Sequence, residues 1–354
     1  MKNTHIVLGL MSGTSLDGLD VAFCRFRFDG RWHFEIEKAE TFNYTDEWRQ
    51  RLQALPFSSA HELALADVAY GRLLGEVSQQ FLERYNLRPE LIASHGHTVF
   101  HEPERHLSLQ IGDGAAIHAL TGLPVVSNFR SLDVHLGGQG APLVPIGDKL
   151  LFAEYEYLLN LGGIANISFE RNGERVAFDI CPCNLLLNRL AQEVDRPYDE
   201  DGRIASSGMV KAELLDKLEE DAYLRQAPPK SLDKTAVEGQ FFPLLLESGF
   251  AENDRLATVV EHIAIQVGNS LGPGSKGKKM LVTGGGAFNR FLIDRLRTHC
   301  EAEVVVPEKS LVEFKEALVF AFLGLLRIQQ QENVLSSCTG ASRNSLSGAL
   351  WGKR

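Results

Sequence analysis

The stretch Leu8-Gly9-Leu10-Met11-Ser12-Gly13-Thr14-Ser15-Leu16-Asp17-Gly18-Leu19-Asp20 concentrates glycines, hydroxyls and carboxylates between an apolar run, His5 to Leu10, and an alternating run, Val21 to Phe28. Two strands joined by such a turn would project free backbone N–H groups and hydroxyls at one point, which suits an anion, phosphate above all. Asp17 and Asp20 set carboxylates beside it, where Mg²⁺ could be held directly or through water, as hard cations bridging phosphates usually are. An ordinary hairpin with a polar turn would carry the same local pattern.

A second strand–turn–strand, Tyr157 to Phe169, repeats the design with Gly162, Gly163 and Asn166 in and after its turn. Two such hairpins could clamp a polyphosphate from both sides. The alternating run Arg175 to Phe178 delivers Asp179 at its end, just before a helix. A carboxylate there is exposed while its backbone is fixed, a good position for a general base, although it could equally cap the turn. After a further strand, Gly284, Gly285 and Gly286 lead through Ala287 and Phe288 to Asn289, where a helix starts. Glycines at a strand end let a flat ligand pass close to backbone, which suits an adenosine moiety.

Other chemistry-bearing residues read less sharply. Arg130, just after a strand, could reach an anionic group or pair with Asp133 at the surface. His95, His97 and His101 could ligate a metal, but no cysteine or carboxylate stands at a familiar zinc spacing, and turn histidines that hydrogen-bond a ligand would look the same. Cys181-Pro182-Cys183 is poorly spaced for its thiols to close on each other, and reads as apolar residues lining a turn. Gly272 to Lys279 imitates phosphate-binding spacings but precedes its strand instead of following it, so it reads as a solvated loop.

The elements that must carry these groups alternate in type. A third strand spans Trp32 to Phe42, and a long helical pattern opens at Ser59 and ends before Pro89. Short strands at Leu91–Ser94, His106–Ile111 and Pro124–Ser127 enclose a helix from Ala115 to Thr121, which implies a mixed sheet. Helices are expected from Leu185 to Glu193, Met209 to Tyr223, Leu256 to Leu271 and Phe314 to Gln330, with an irregular connection from Pro228 to Phe242. The glycine-rich run Gly137 to Pro142 marks the crossing into a second lobe, with a hinge expected near 128 to 142. The expected division is residues 1–128 with 336–354 as one lobe and 129–335 as the other.

The 354 residues suffice for two cores, and 44% apolar with 23% charged composition describes a globular chain. A net charge of −10 and the lack of a basic patch interleaved with aromatics argue against nucleic acid. No run approaches the length of a membrane span, and five cysteines do not make a disulfide scaffold, so a cytoplasmic protein with no membrane partner is expected.

Taken together, the two phosphate hairpins, the strand-end aspartate, the Gly-Gly-Gly-Ala turn and the closing helix resemble the actin and sugar-kinase ATPase superfamily. More narrowly, the whole chain resembles the anhydro-N-acetylmuramic acid kinase family. The resemblance rests on Gly9 to Gly18, Ser94-His95-Gly96-His97-Thr98, Gln110 to Gly114, Gly137 to Pro145, Leu161 to Asn166, Pro229-Lys230-Ser231 and Thr283 to Asn289. It implies an α/β fold of two lobes, each a mixed sheet flanked by helices, with a cleft between them. The implied reaction is ATP-dependent opening of the 1,6-anhydro ring of anhydro-N-acetylmuramic acid with phosphorylation at O6, part of peptidoglycan recycling.

In this family reading Asp179 is the general base and Glu316 orients the water or the sugar, while Thr98, Arg130 and Asn184 stand at sugar-contacting positions. Ser12 to Leu19, Gly162, Gly163, Asn166, Gly284, Gly285, Gly286 and Asn289 would hold ATP, and Asp17 and Asp20 Mg²⁺. The resemblance also suggests a homodimer. One departure stands out: where the family carries glycines on either side of the proline after the aspartate, this chain has Cys181 and Cys183. Added Cβ atoms there would strain any positive φ and narrow the approach of a ligand to backbone. A kinase of the same fold acting on another sugar, or a nucleotide-binding sensor without turnover, therefore stays open.

Overall fold

The computed structural model describes residues 4–13, 16–228, 230–232 and 234–353. Its contacts divide the chain into two compact units, Met1–Phe152 with Phe314–Arg354, and Ala153–Glu313.

In the first unit, β1 (Thr4–Ser12), β2 (Gly18–Phe28) and β3 (Trp32–Asn43) form an antiparallel meander. Helices α1 (Asp46–Ala54) and α2 (Ala60–Arg84) follow. The Ser59 hydroxyl and the Glu62 carboxylate of α2 close a reciprocal capping box that fixes the helix start. Next come β4 (Leu91–Ser94), the hairpin β5 (His97–Glu102) with β6 (Leu107–Ile111), α3 (Gly114–Thr121) and β7 (Val125–Ser127). Short helices α4 (Ser131–His135) and α5 (Pro145–Leu151) complete this part of the chain.

The second unit repeats the meander as β8 (Tyr157–Leu161), β9 (Ile164–Arg171) and β10 (Glu174–Pro182). Helices α6 (Asn184–Ala191), α7 (Arg203–Ser206), α8 (Ala212–Glu219), α9 (Lys234–Leu246) and α10 (Glu252–Leu271) lead to β11 (Lys279–Thr283), α11 (Arg290–His299) and β12 (Glu303–Val305). The chain then runs through α12 (Lys309–Ile328), α13 (Ser336–Thr339) and β13 (Ala349–Trp351), and β13 pairs with β7.

The two sheets share a five-strand topology, to which the first adds β13. The first has the order β13-β7-β4-β1-β2-β3 and the second β12-β11-β8-β9-β10. In both, the first strand of the meander is antiparallel to the second and parallel to its neighbour on the other side, β4 or β11. A duplicated mixed α/β unit therefore underlies the similarity of the two glycine-containing hairpins.

The unit boundaries differ from those expected at 128 and 335. Residues 129–152 belong to the first unit because the glycine-rich run closes a loop within it: the Gln139 N–H donates to the Thr339 carbonyl and the Ser342 N–H to that of Leu136. The run expected to carry a hinge is thus internal to one unit, its glycines serving a tight loop. Residues 314–335 join that unit because α12 lies on β1 and β4. A Cβ on Gly324 would come 2.5 Å from that of Ala93.

Three further elements depart from the sequence reading. The connection expected to be irregular holds α9, where Val237, Phe241 and Leu245 recur on one buried face; Gly239 and Pro243 within it mask the period. The helix expected from Met209 shortens to α8, and the histidine-rich turn is the strand β5.

Candidate active site

At the first hairpin, Ser12 ends β1 buried in a polar chain. The Tyr44 phenol donates to its hydroxyl at 2.8 Å, and that hydroxyl lies 3.2 Å from Nδ1 of His97. Burial pushes His97 down to about 4, so the ring beside the Ser12 hydroxyl is neutral. Gly13 lies at the entry to the turn, while Thr14 and Ser15 fall outside the described residues. Leu16 takes a left-handed φ of 61°, and Asp17 is exposed.

Gly18 is needed for packing: a Cβ there would sit 2.6 Å from the Phe42 carbonyl of β3. The Leu19 side chain is in the core, so only its backbone is available to a nucleotide. Asp20 is half-buried on β2 and accepts from the Thr41 hydroxyl at 2.6 Å.

The same unit brings Arg130 and Glu316 within each other's field. Glu316, on α12, is open to solvent, yet its packed surroundings raise the carboxyl above the usual range, against the pull of Arg130 and Lys315. Arg130 is pushed down to about 10 by burial, with Glu316 as the main opposing charge. Its partners are His95 and the Gly140 carbonyl, whereas Asp133 accepts from the Gly140 N–H and the Thr339 hydroxyl. The surface pair of Arg130 with Asp133 is therefore absent, and Asp133 instead holds the loop on which Arg130 leans. Thr98 on β5 accepts from the Gln110 amide at 3.3 Å.

The histidines separate in the same way. His95 faces Arg130, His97 faces Ser12, and His101 Nδ1 lies 3.0 Å from the Ser108 hydroxyl. Among the described residues no group of three or more His, Cys, Asp or Glu could hold a metal ion.

In the second unit, Asp179 ends the regular part of β10, directly opposite Asn166 of β9, which is itself opposite Asn160 of β8. A bulge follows between Asp179 and Cys181. The Ser231 hydroxyl and the Leu232 N–H donate to Oδ2 of Asp179 at 3.0 and 2.9 Å, so Oδ1 is the oxygen left to take a proton. The Tyr223 phenol donates to the Asp179 carbonyl at 2.8 Å, and Lys230 Nζ tethers the loop through the carbonyls of Tyr223 and Leu224. Burial lifts the Asp179 carboxyl above its ordinary value, opposed by the bonds from Leu232 and Ser231 and by the Lys230 charge. A cavity of about 320 Å³ adjoins this loop, lined in part by Tyr223, Ser231, Leu232 and Gln240.

Around the second hairpin, the Gly162 and Gly163 carbonyls accept from the backbone N–H groups of Cys183, Asn184 and Leu185. The first N–H groups of α6 are thereby satisfied within the protein. The Asn184 amide donates to the Leu161 carbonyl at 2.9 Å, and a Cβ on Gly286 would lie 3.4 Å from its Oδ1. Asn184 thus stands with Gly162, Gly163 and the glycine turn.

Gly284 has a φ of 81° and a Cβ there would come 2.5 Å from Asn160 Oδ1, whereas a Cβ on Gly285 would meet nothing nearer than 3.7 Å. Gly284 is therefore a packing glycine, whereas exposed Gly285 has room for a Cβ at ordinary contact distance from the Asn184 amide. The Asn289 side chain caps α11 by accepting from the Leu292 N–H.

Both cysteines of the departing run are fully buried in the apolar core of this unit, and burial raises their thiols, Cys183 to about 12. Cys183 has φ −130°, so no left-handed backbone is strained by its Cβ. Sequence reasoning set the stretch with Lys230, Ser231 and Leu232 at the border of the site but did not join it to Asp179, and it missed Tyr223, since a long separation in the chain hides a loop that folds back. It also missed His95 as the partner of Arg130.

A family model described as anhydro-N-acetylmuramic acid kinase matches residues 5–353. A protein of that name from Hydrogenovibrio crunogenus is 34% identical over 368 residues, covering 98% of each chain. Those from Variovorax paradoxus and Pseudomonas putida are each 36% identical, covering 98% of this chain and 99% of theirs. Among solved structures, an ADPNP-bound activator of 2-hydroxyisocaproyl-CoA dehydratase from Clostridium difficile aligns at a TM-score of 0.46 and 13% identity, covering 92% of this chain and 96% of that one.

Proposed function

The chain belongs to the anhydro-N-acetylmuramic acid kinase family, and on that premise we propose that it opens 1,6-anhydro-N-acetylmuramic acid with water and ATP, giving N-acetylmuramic acid 6-phosphate and ADP. Water adds to the anomeric carbon as the C1–O6 bond breaks, and O6 takes the γ-phosphoryl group. Oδ1 of Asp179 removes the proton from the attacking water. Its backbone is held by Tyr223 and its other oxygen by Ser231 and Leu232, so the acceptor is oriented before substrate arrives. The observation that carries the reading is this one-sided clamp on a carboxyl whose proton affinity burial has raised.

Arg130, Thr98 and Glu316 form the sugar-facing group of the first unit. The Ser12 to Leu19 turn and the Gly162, Gly163 and Gly284 to Gly286 turns receive ATP, with Asn166 and Asn289 as framework. Asn184, placed with those glycines, supports the nucleotide turn and, through it, the sugar end. The donor set suits Mg²⁺ carried chiefly by phosphate oxygens and water, because Asp20 and Asp17 supply hard oxygens and no protein-built metal cluster stands among the described residues. Bound there, Mg²⁺ would neutralise phosphate charge during transfer. In the same reading the enzyme is cytoplasmic and homodimeric.

The test is ADP release and mass detection of the phosphosugar from ATP, Mg²⁺ and anhydro-N-acetylmuramic acid, with the intact protein and Asp179→Asn. Product from the intact protein and none from the folded variant is expected. An intact protein inert toward this sugar sinks the substrate assignment, and a fully active variant sinks the base.

A further inference from the structure

The environment of Arg130 contains an element that the reaction scheme above does not use. His95 directly follows β4, is buried, and packs its ring against Phe320 of α12 with centroids 4.7 Å apart. Its Nδ1 lies 2.9 Å from the Gly96 carbonyl, which can only accept. Nδ1 must therefore carry the proton, and in a neutral imidazole that leaves Nε2 as a bare acceptor. Nε and Nη2 of Arg130 both point at this lone pair, at 3.1 and 2.9 Å. Burial and the Arg130 charge hold the ring far below its usual pKa, so it stays neutral.

We propose that His95 is a positioning residue for sugar recognition, fixing one edge of the Arg130 guanidinium through Nε2 so that its remaining N–H groups face the substrate. The counting supports this. A guanidinium has five N–H donors; His95 takes those of Nε and Nη2, and the Gly140 carbonyl takes one from Nη1 at 2.7 Å. One N–H on each Nη is left, two charged donors for oxygen acceptors of the substrate. The far side of the clamp is itself held, because buried Asp133 accepts from the Gly140 N–H at 2.7 Å. A glutamine can place an amide oxygen about where Nε2 stands, whereas leucine keeps the bulk and removes the acceptor.

The inference rests on Arg130 contacting the sugar, and the experiment separates the two. Steady-state kinetics would be run on His95→Leu, His95→Gln and Arg130→Ala, varying sugar at saturating ATP and ATP at saturating sugar. His95→Leu should raise the sugar KM about tenfold to a hundredfold, the worth of a hydrogen bond to a charged group. Its ATP KM should stay within about twofold, and His95→Gln should recover most of the loss. A normal sugar KM in His95→Leu beside a raised one in Arg130→Ala overturns the positioning role alone. Equal rises in both KM values, unrelieved in His95→Gln, also overturn it, since they mark a general structural defect. A normal sugar KM in Arg130→Ala overturns the reading of Arg130 and this inference with it.

Discussion

Gly9 of β1 lies so close to α12 that a Cβ on it would stand 2.0 Å from the carbonyl oxygen of Ala317. The next residue toward the helix N-terminus is Glu316, so the bare backbone of one strand sets how near the sheet that acid is carried. A glycine that reads in sequence as part of a phosphate turn is thus a packing residue. Gly9→Ala must push the helix away, and overpacking of this kind typically costs about 1–3 kcal/mol. Thermal unfolding should show a lower midpoint, with kcat reduced in the fraction still folded; an unchanged midpoint would refute the contact.

The Asp179 carboxyl is raised by desolvation. A base with a raised pKa is protonated, and idle, at a higher pH than a free carboxylate, so kcat/KM should fall on acidification with a midpoint above the roughly 3.9 of free aspartate. Ser231→Ala removes a bond that favours the ionised form and should move that limb further up. A limb that stays in place, or moves down, contradicts the clamp on Oδ2.

Restoring glycine at Cys181 and Cys183 addresses the departure from the family pattern. Both thiols fill the core of the second unit, so the double variant leaves a void and two freer backbone positions, for a loss of about 1–3 kcal/mol. Its preference among anhydro sugars should match that of the parent. A changed preference with unchanged unfolding would show that these side chains act on the ligand.

Lys315 and Asp148 form a buried ion pair at 2.8 Å, one residue from Glu316 in the chain. Asp148→Asn strips the charge opposing a buried ammonium and should lower stability by about 3–5 kcal/mol, whereas Lys315→Met with Asp148→Leu should recover much of it. Denaturant unfolding of both forms decides this; a double variant as weak as the single one counts against the desolvation argument.

Removal of Mg²⁺ by EDTA should abolish turnover. Asp20, half-buried and within the field of Glu316, should matter more than exposed Asp17. The Mg²⁺ concentration for half-maximal rate is expected to rise more in Asp20→Asn than in Asp17→Asn, and the reverse order would reassign the carboxylate.

Local patterns in the chain already carried the family, the paired hairpins and the strand end that bears Asp179. Each depends on residues near in sequence: alternation makes a strand, Gly and Ser make a turn, and the next polar group stands at its end. The mixed sheets and most helix positions were legible for the same reason. The α9 helix was not, because Gly239 and Pro243 interrupt a period that only packing of Val237, Phe241 and Leu245 completes.

Contacts between residues far apart in the chain were decided by the tertiary structure alone. Ser231 and Leu232 return to Asp179, His95 meets Arg130, and Asp133 supports Gly140 rather than Arg130. The same holds for the glycines, whose composition announces freedom but not its use. Gly9 and Gly284 are bare because another backbone or side chain occupies the space of a Cβ, while Gly285 has room for one. Composition sets what a residue can do, whereas the packing of distant segments sets which of those possibilities is taken.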